Sequence, residues 1–100
     1  MIKAIDLLEI SPVIAAIKDD AGLKECLDTE CQVVFILYGN ICSIKNIVSE
    51  LKSHGKYAMV HADLVQGLGS KEVAIDFLKE QTGADGIIST KPMLVRRAQE

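Results

Sequence analysis

The chain has 100 residues, 49% of them hydrophobic and 25% charged, with a net charge of −3 from 11 basic and 14 acidic side chains. That length allows one domain at most, and no basic stripe of the kind that announces nucleic acid is present, though a local patch could still bind RNA. No run approaches the ~18 apolar residues a membrane span needs, and "MIKAIDLLEI" is no signal peptide, because Asp6 and Glu9 interrupt its apolar region.

Taken in chain order, residues 1–10 read as a short leading helix with Ile2, Ile5 and Leu8 in phase. Then one rhythm repeats four times: an apolar run, a polar break, an amphipathic stretch. The first run, "PVIAAIK" (12–18), is a strand followed by "DDAGLKECLD", where Asp20 is the expected cap of a helix burying Leu23, Cys26 and Leu27. The second strand is "QVVFILYG" (32–39). Asn40 then caps "ICSIKNIVSELKSHG", with Ile41, Ile44, Ile47, Val48 and Leu51 on one face and Gly55 as the stop.

The third strand is "KYAMVHADL" (56–64). Ser70 is the expected cap of "KEVAIDFLKEQTG", with Glu72 in its first turn and Gly83 just past its end. The fourth strand, "ADGIIST" (84–90), leads to a last helix with Pro92 near its first turn, where the missing N–H costs little. A core of Ile, Leu, Val and Ala with few aromatics suits strands covered by helices.

Four strand–helix units with short connections predict an α/β fold of parallel strands joined by right-handed crossovers. Such units suit a small open doubly wound sheet or part of a TIM-like (β/α)8 barrel. The equivalence of the four units favours the barrel, with residues 1–100 as a single incomplete, half-barrel domain. Four units leave two edge strands unpaired, so the chain is expected to be the front half of something longer or to complete its sheet with a second copy.

Function in parallel α/β sheets collects at the carboxyl ends of the strands. Here those ends read Lys18 with Asp19 and Asp20, then Tyr38 with Gly39 and Asn40, then His61 with Asp63, then Ser89, Thr90 and Lys91. Alternation along the third strand puts Ala58, Val60, Ala62 and Leu64 on an apolar face and Met59, His61 and Asp63 on the other, which a barrel turns inward. Asp63 could there orient the His61 imidazole, and Lys18 and Lys91 are natural partners for a phosphate or carboxylate. The bland alternatives are a hydrogen-bonded core histidine, a loop-capping aspartate and two solvated lysines.

Other features are weaker. "QGLGS" (66–70) before a helix start could cradle an anion through backbone N–H groups or simply turn tightly, and it matches no phosphate fingerprint. Arg96 and Arg97 could touch RNA phosphates or belong to a solvated surface. Cys26, Cys31 and Cys42 fit no zinc spacing and read as reduced thiols of a cytoplasmic protein. No nucleophile motif and no cofactor or metal site emerges.

The phrases "PVIAAIKDD", "VVFILYGNIC" and "VHADLVQGLGSKEVAIDFLKEQTGADGIISTKP" resemble the glycerol-3-phosphate responsive antiterminator family of bacterial operon regulators, from about Ser11 to the end. The resemblance implies a (β/α) barrel that is not an enzyme. It implies response to glycerol 3-phosphate and binding to the leader mRNA of glycerol-utilisation transcripts, so that a terminator fails to stop transcription. Members are roughly twice as long, and phosphate-gripping loops of such barrels usually come from the last strands. On this reading Lys18, His61, Asp63 and Lys91 are the ligand-side candidates, and Arg96 and Arg97 the RNA-side ones. Two other readings remain open. One is a phosphate-handling barrel isomerase or lyase, with His61 as acid or base and Lys91 as electrophile. The other is a non-catalytic half-barrel that forms a homo-oligomer.

Overall fold

The computed structural model describes residues 14–100, so the leading helix expected over residues 1–10 lies outside the described residues. Four strands, β1 (Ile14–Ile17), β2 (Val33–Ile36), β3 (Tyr57–His61) and β4 (Gly86–Ile88), form one parallel sheet in the order β1-β2-β3-β4. Helices α1 (Asp20–Leu27), α2 (Ile44–Ser53), α3 (Glu72–Phe77, continued by a π turn Leu78–Thr82) and α4 (Pro92–Gln99) follow the strands one by one. The strand order never reverses, so the chain winds in one direction as a half-barrel rather than as a doubly wound sheet.

Strand register divides the side chains between two faces. Ile17, Val34, Ile36, Ala58 and Val60 pack with Ile44, Val48, Leu51, Ile75, Leu78 and Leu94 of the helices in the main core. Burying these aliphatic side chains supplies the main driving force, about 1.5–3 kcal/mol for each large one. The opposite, inner face is a smaller cluster: Val33 and Met59 are buried, with Phe35, Tyr57 and Ile88 packed against them.

Helix ends follow local chemistry, with two shifts from expectation. The cap of α1 is Asp19, whose Oδ1 accepts from Gly22 N at 2.7 Å. Asp20 sits in the first turn instead and accepts from the Tyr38 hydroxyl at 2.8 Å. No side chain caps α3: Lys71, not Ser70, is the residue before its first turn. Asn40 does cap the turn entering α2, its Oδ1 accepting from Cys42 N at 2.8 Å and Ser43 N at 3.0 Å. Ile41 lies in that turn and is exposed, packed over Gly67 rather than into the core.

At the amino ends of the strands, Lys56 is buried and donates to the carbonyls of Thr29 at 2.9 Å and Cys31 at 2.6 Å. It ties the α1–β2 loop to the start of β3. Asp85 accepts from Ala58 N at 2.9 Å and from Lys52 Nζ at 2.8 Å, fixing the entry to β4. The scaffold is thereby locked at the end opposite the candidate site.

Candidate functional site

All four strands run parallel, so Lys18, His61, Asp63 and Lys91 fall at one rim, as the strand-end reading expects. Lys18 is exposed just after β1, and His61 closes β3 two strands away, about 10 Å by ordinary strand spacing. His61 pairs in register with Ile88, whose side chain belongs to the inner cluster, so the imidazole shares that face with Met59. Its Nδ1 is buried and meets no hydrogen-bond partner among the described residues.

Asp63 does something other than orient this imidazole. The chain leaves the extended conformation after His61 and turns through a 3-10 segment, Ala62–Leu64. Strict alternation therefore stops one residue short of Asp63. The carboxylate turns to the loop after β4: Oδ1 accepts from Ser89 Oγ at 2.8 Å, and Oδ2 accepts from Thr90 N and Thr90 Oγ1, each at 2.8 Å. Lys91 Nζ stands 3.7 Å from Oδ1, and the Asp63 side chain is 13% exposed. The Thr90 backbone N–H, with the hydroxyls of Thr90 and Ser89 and the Lys91 charge, outweighs burial and holds this carboxyl at about 2.

The consequence is a fixed loop. Ser89 Oγ accepts from Lys91 N at 3.0 Å, and the Lys91 carbonyl accepts from Leu94 N and Val95 N, starting α4. Asp63 thus positions Lys91 and the first turn of α4 from a neighbouring strand. The side chain of Lys91 stays half exposed. These partners lie 26 to 28 positions away in sequence, which is why spacing alone did not reveal them.

The neighbouring loop carries Gly67 and Gly69 at φ of 85° and 82°, a backbone conformation that glycine adopts at little cost. It is tied to β2's end by Ile41 N donating to Gln66 O and Gln66 N donating to Gly39 O, both at 3.0 Å. Gly39, at φ 105°, could not carry a side chain without pressing on Ile47, 3.1 Å from the position a Cβ would take.

The two arginines of α4 separate in role. Arg97 is spent on acids: its Nε and Nη2 reach the two carboxylate oxygens of Asp76 at 2.9 Å each, and Nη1 reaches Glu100 at 3.0 Å. This pairing lowers the Asp76 pKa and raises that of Arg97. Arg96 is exposed, and both arginines line a cleft of about 290 Å³ with Glu72, Met93 and Glu100. Among the described residues no group of three His, Cys, Asp or Glu side chains converges to hold a metal ion. None of the described helices is long and apolar enough to cross a membrane.

Comparison with known proteins sets this geometry in a family. The glycerol-3-phosphate responsive antiterminator pattern matches residues 13–100. The uncharacterized protein YgcP of Escherichia coli is 55% identical over 93 residues, covering 93% of this chain and 49% of its own. The crystal structure of the glycerol uptake operon antiterminator regulatory protein of Listeria monocytogenes superposes with a TM-score of 0.83 at 31% identity, over 87% of this chain and 47% of that one. A glycerol uptake operon antiterminator-related protein of Thermotoga maritima superposes with a TM-score of 0.77 at 40% identity, over 87% and 48%. The chain spans about half the length of these relatives. The family is one of regulators, and the isomerase or lyase reading of His61 and Lys91 is set aside. The half-barrel of residues 14–100 belongs to the glycerol-3-phosphate responsive antiterminator family.

Proposed function

We propose that the chain acts as, or within, a cytoplasmic RNA-binding transcription antiterminator that responds to glycerol 3-phosphate and works on the leader mRNA of glycerol-utilisation genes. The observation that carries this reading is His61: an imidazole nitrogen buried on the inner face at the mouth of the half-barrel, without a partner among the described residues. A buried polar atom left unmet costs about 1–3 kcal/mol, so a ligand hydroxyl or phosphate oxygen placed there would recover that cost.

Lys18 and Lys91 supply positive charge at the same rim for a phosphate dianion. Asp63 takes no direct part in gripping the anion; it would repel one, and its role is to hold Ser89, Thr90 and Lys91 in place. That loop also opens α4, where exposed Arg96 is the RNA-side candidate. Arg97, matched by Asp76 and Glu100, is a weaker one. Ligand contact with Lys91 would therefore be felt at the first turn of the helix that bears Arg96.

Calorimetry with glycerol 3-phosphate, with glycerol and inorganic phosphate as controls, tests the ligand half. Binding is expected for glycerol 3-phosphate and is expected to weaken about tenfold in Lys91→Ala and His61→Ala, the loss of one charged hydrogen bond each. No heat and no thermal shift would count against it. Retention of a leader-RNA hairpin, lowered by Arg96→Ala and by added salt, tests the other half.

A further inference from the structure

We propose that Cys26 and Cys31 are a redox-responsive pair: a small peroxide joins their sulfurs in a disulfide that staples α1 to the start of β2, and a dithiol reductant releases it. The pair lies at the amino end of the strands beside Lys56, opposite the rim. It therefore stands whether or not the rim receives an anion.

The sequence puts the two thiols five positions apart, Cys26 in the last turn of α1 and Cys31 two residues before β2. α1 buries Leu23 and Cys26 against the sheet, and Cys31 is buried where the chain enters it. Their sulfurs stand 3.8 Å apart, and the Cys31 thiol donates to the Val33 carbonyl at 3.5 Å. A disulfide bond is about 2.05 Å long, so closing the 3.8 Å gap brings the sulfurs about 1.8 Å nearer. Rotation about the two Cα–Cβ bonds supplies part of that movement, and the irregular segment 28–30 between α1 and β2 supplies the rest.

Neighbouring groups hold the two cysteines in this arrangement. Thr29 Oγ1 donates to the Cys26 carbonyl at 2.7 Å and accepts from Cys31 N at 3.4 Å, so one side chain bridges both backbones. Lys56 Nζ donates to the Cys31 carbonyl at 2.6 Å and to the Thr29 carbonyl at 2.9 Å. Two reactive groups fixed together react in one intramolecular step rather than by encounter.

The chemistry balances with one peroxide. One sulfur, as its thiolate, bonds to a peroxide oxygen; the O–O bond breaks, and the departing hydroxide takes a proton to become water. That sulfur is then a sulfenic acid. The second sulfur attacks it: the S–S bond forms, the S–O bond breaks, and the hydroxide leaves as water with the second thiol's proton. Two thiols and one hydrogen peroxide give one disulfide and two waters, the sulfurs losing two electrons to the peroxide oxygens. Burial and the Cys31 thiol push the Cys26 thiol up while the Lys56 ammonium pulls it down, so the first step is slow. The second is fast, because the partner sulfur is already in place.

Exposures of 4% for Cys26 and 6% for Cys31 shut out a bulky thiol reagent, whereas hydrogen peroxide is close to water in size and enters through local fluctuation. In a reducing compartment a disulfide of this kind is transient and reports oxidant. Its formation closes residues 26–31 into a short ring and pins the end of α1, which stabilises the oxidised chain.

The test uses the folded, reduced Cys42→Ser chain, in which Cys26 and Cys31 are the remaining thiols. After hydrogen peroxide, the thiol count in denaturant is expected to fall from two to zero and to return to two with dithiothreitol. Cleavage after Glu30 separates Cys26 from Cys31, and the pieces 26–30 and 31–50 are expected to stay joined, two hydrogens lighter, until reduced. Neither piece contains methionine, so their mass reports the cysteines alone. The thermal midpoint of the oxidised chain is expected to drop by several degrees when dithiothreitol is added. Two thiols surviving prolonged peroxide would overturn the proposal, as would oxygen added to either piece without a link. So would a link that joins two chains, or a midpoint that rises on reduction, since the native geometry would then not accept the bond.

Discussion

Replacing Asp63 by Asn tests whether the rim is held together by one carboxylate. Three donors converge on Asp63 at 2.8 Å, and Lys91 adds its charge at 3.7 Å. The carboxyl is held at about 2, against 3.8 for an unperturbed aspartate, and that difference sets a ceiling of about 2.5 kcal/mol on what ionised Asp63 contributes. Solvent screening at the rim trims this, and about 1–2 kcal/mol is the expected loss in Asp63→Asn at neutral pH. The folded-state value lies below the unfolded one, so the contribution is present in full above about pH 4 and lost as pH falls toward 2. Urea denaturation of both proteins between pH 7 and pH 2 measures it. The gap in stability is expected to hold steady down to about pH 4 and then close. A gap of zero at pH 7, or one that fails to narrow in acid, would refute the assignment of Asp63 as the clamp of the β4–α4 loop.

Three other outcomes are expected. Lys56→Met strands the carbonyls of Thr29 and Cys31 and lowers unfolding stability by about 1–3 kcal/mol, measured by the same denaturation. Gly39→Ala is expected to cost more than Gly55→Ala, which should lose about 1 kcal/mol; both sit at positive φ, but a Cβ at Gly39 would crowd Ile47 whereas the space at Gly55 is open. A thiol reagent should modify one cysteine, exposed Cys42, in the native protein and three after denaturation, because Cys26 and Cys31 are buried with sulfurs 3.8 Å apart and burial pushes the Cys26 thiol up.

Features set by local chemistry were legible in the sequence. Asn40 caps because its own side chain reaches the next turn, Gly55 and Gly83 adopt positive φ just past their helices, and Pro92 opens α4. The apolar periodicity of α2 gave its buried face, Ile44, Ile47, Val48 and Leu51, and failed at Ile41, which lies in the turn before the helix. The site was half legible. Strand polarity alone put Lys18, His61, Asp63 and Lys91 at one rim. The pairing of His61 with Asp63 was an extrapolation of strand alternation into a residue that the Ser89–Thr90 loop captures instead. Arg97 looked free for the same reason: Asp76 lies 21 positions away, and no local pattern announces a bidentate partner at that distance.

In the function proposed, the carboxyl-end rim receives an anionic metabolite. The most direct measurement is a titration of isotope-labelled chain with glycerol 3-phosphate, followed by amide and imidazole nuclear magnetic resonance signals. Saturable shifts centred on Lys18, His61 and Ser89–Lys91, with the Lys56–Asp85 end unmoved, are the predicted result. Shifts confined to that opposite end, or none at millimolar ligand, would contradict it.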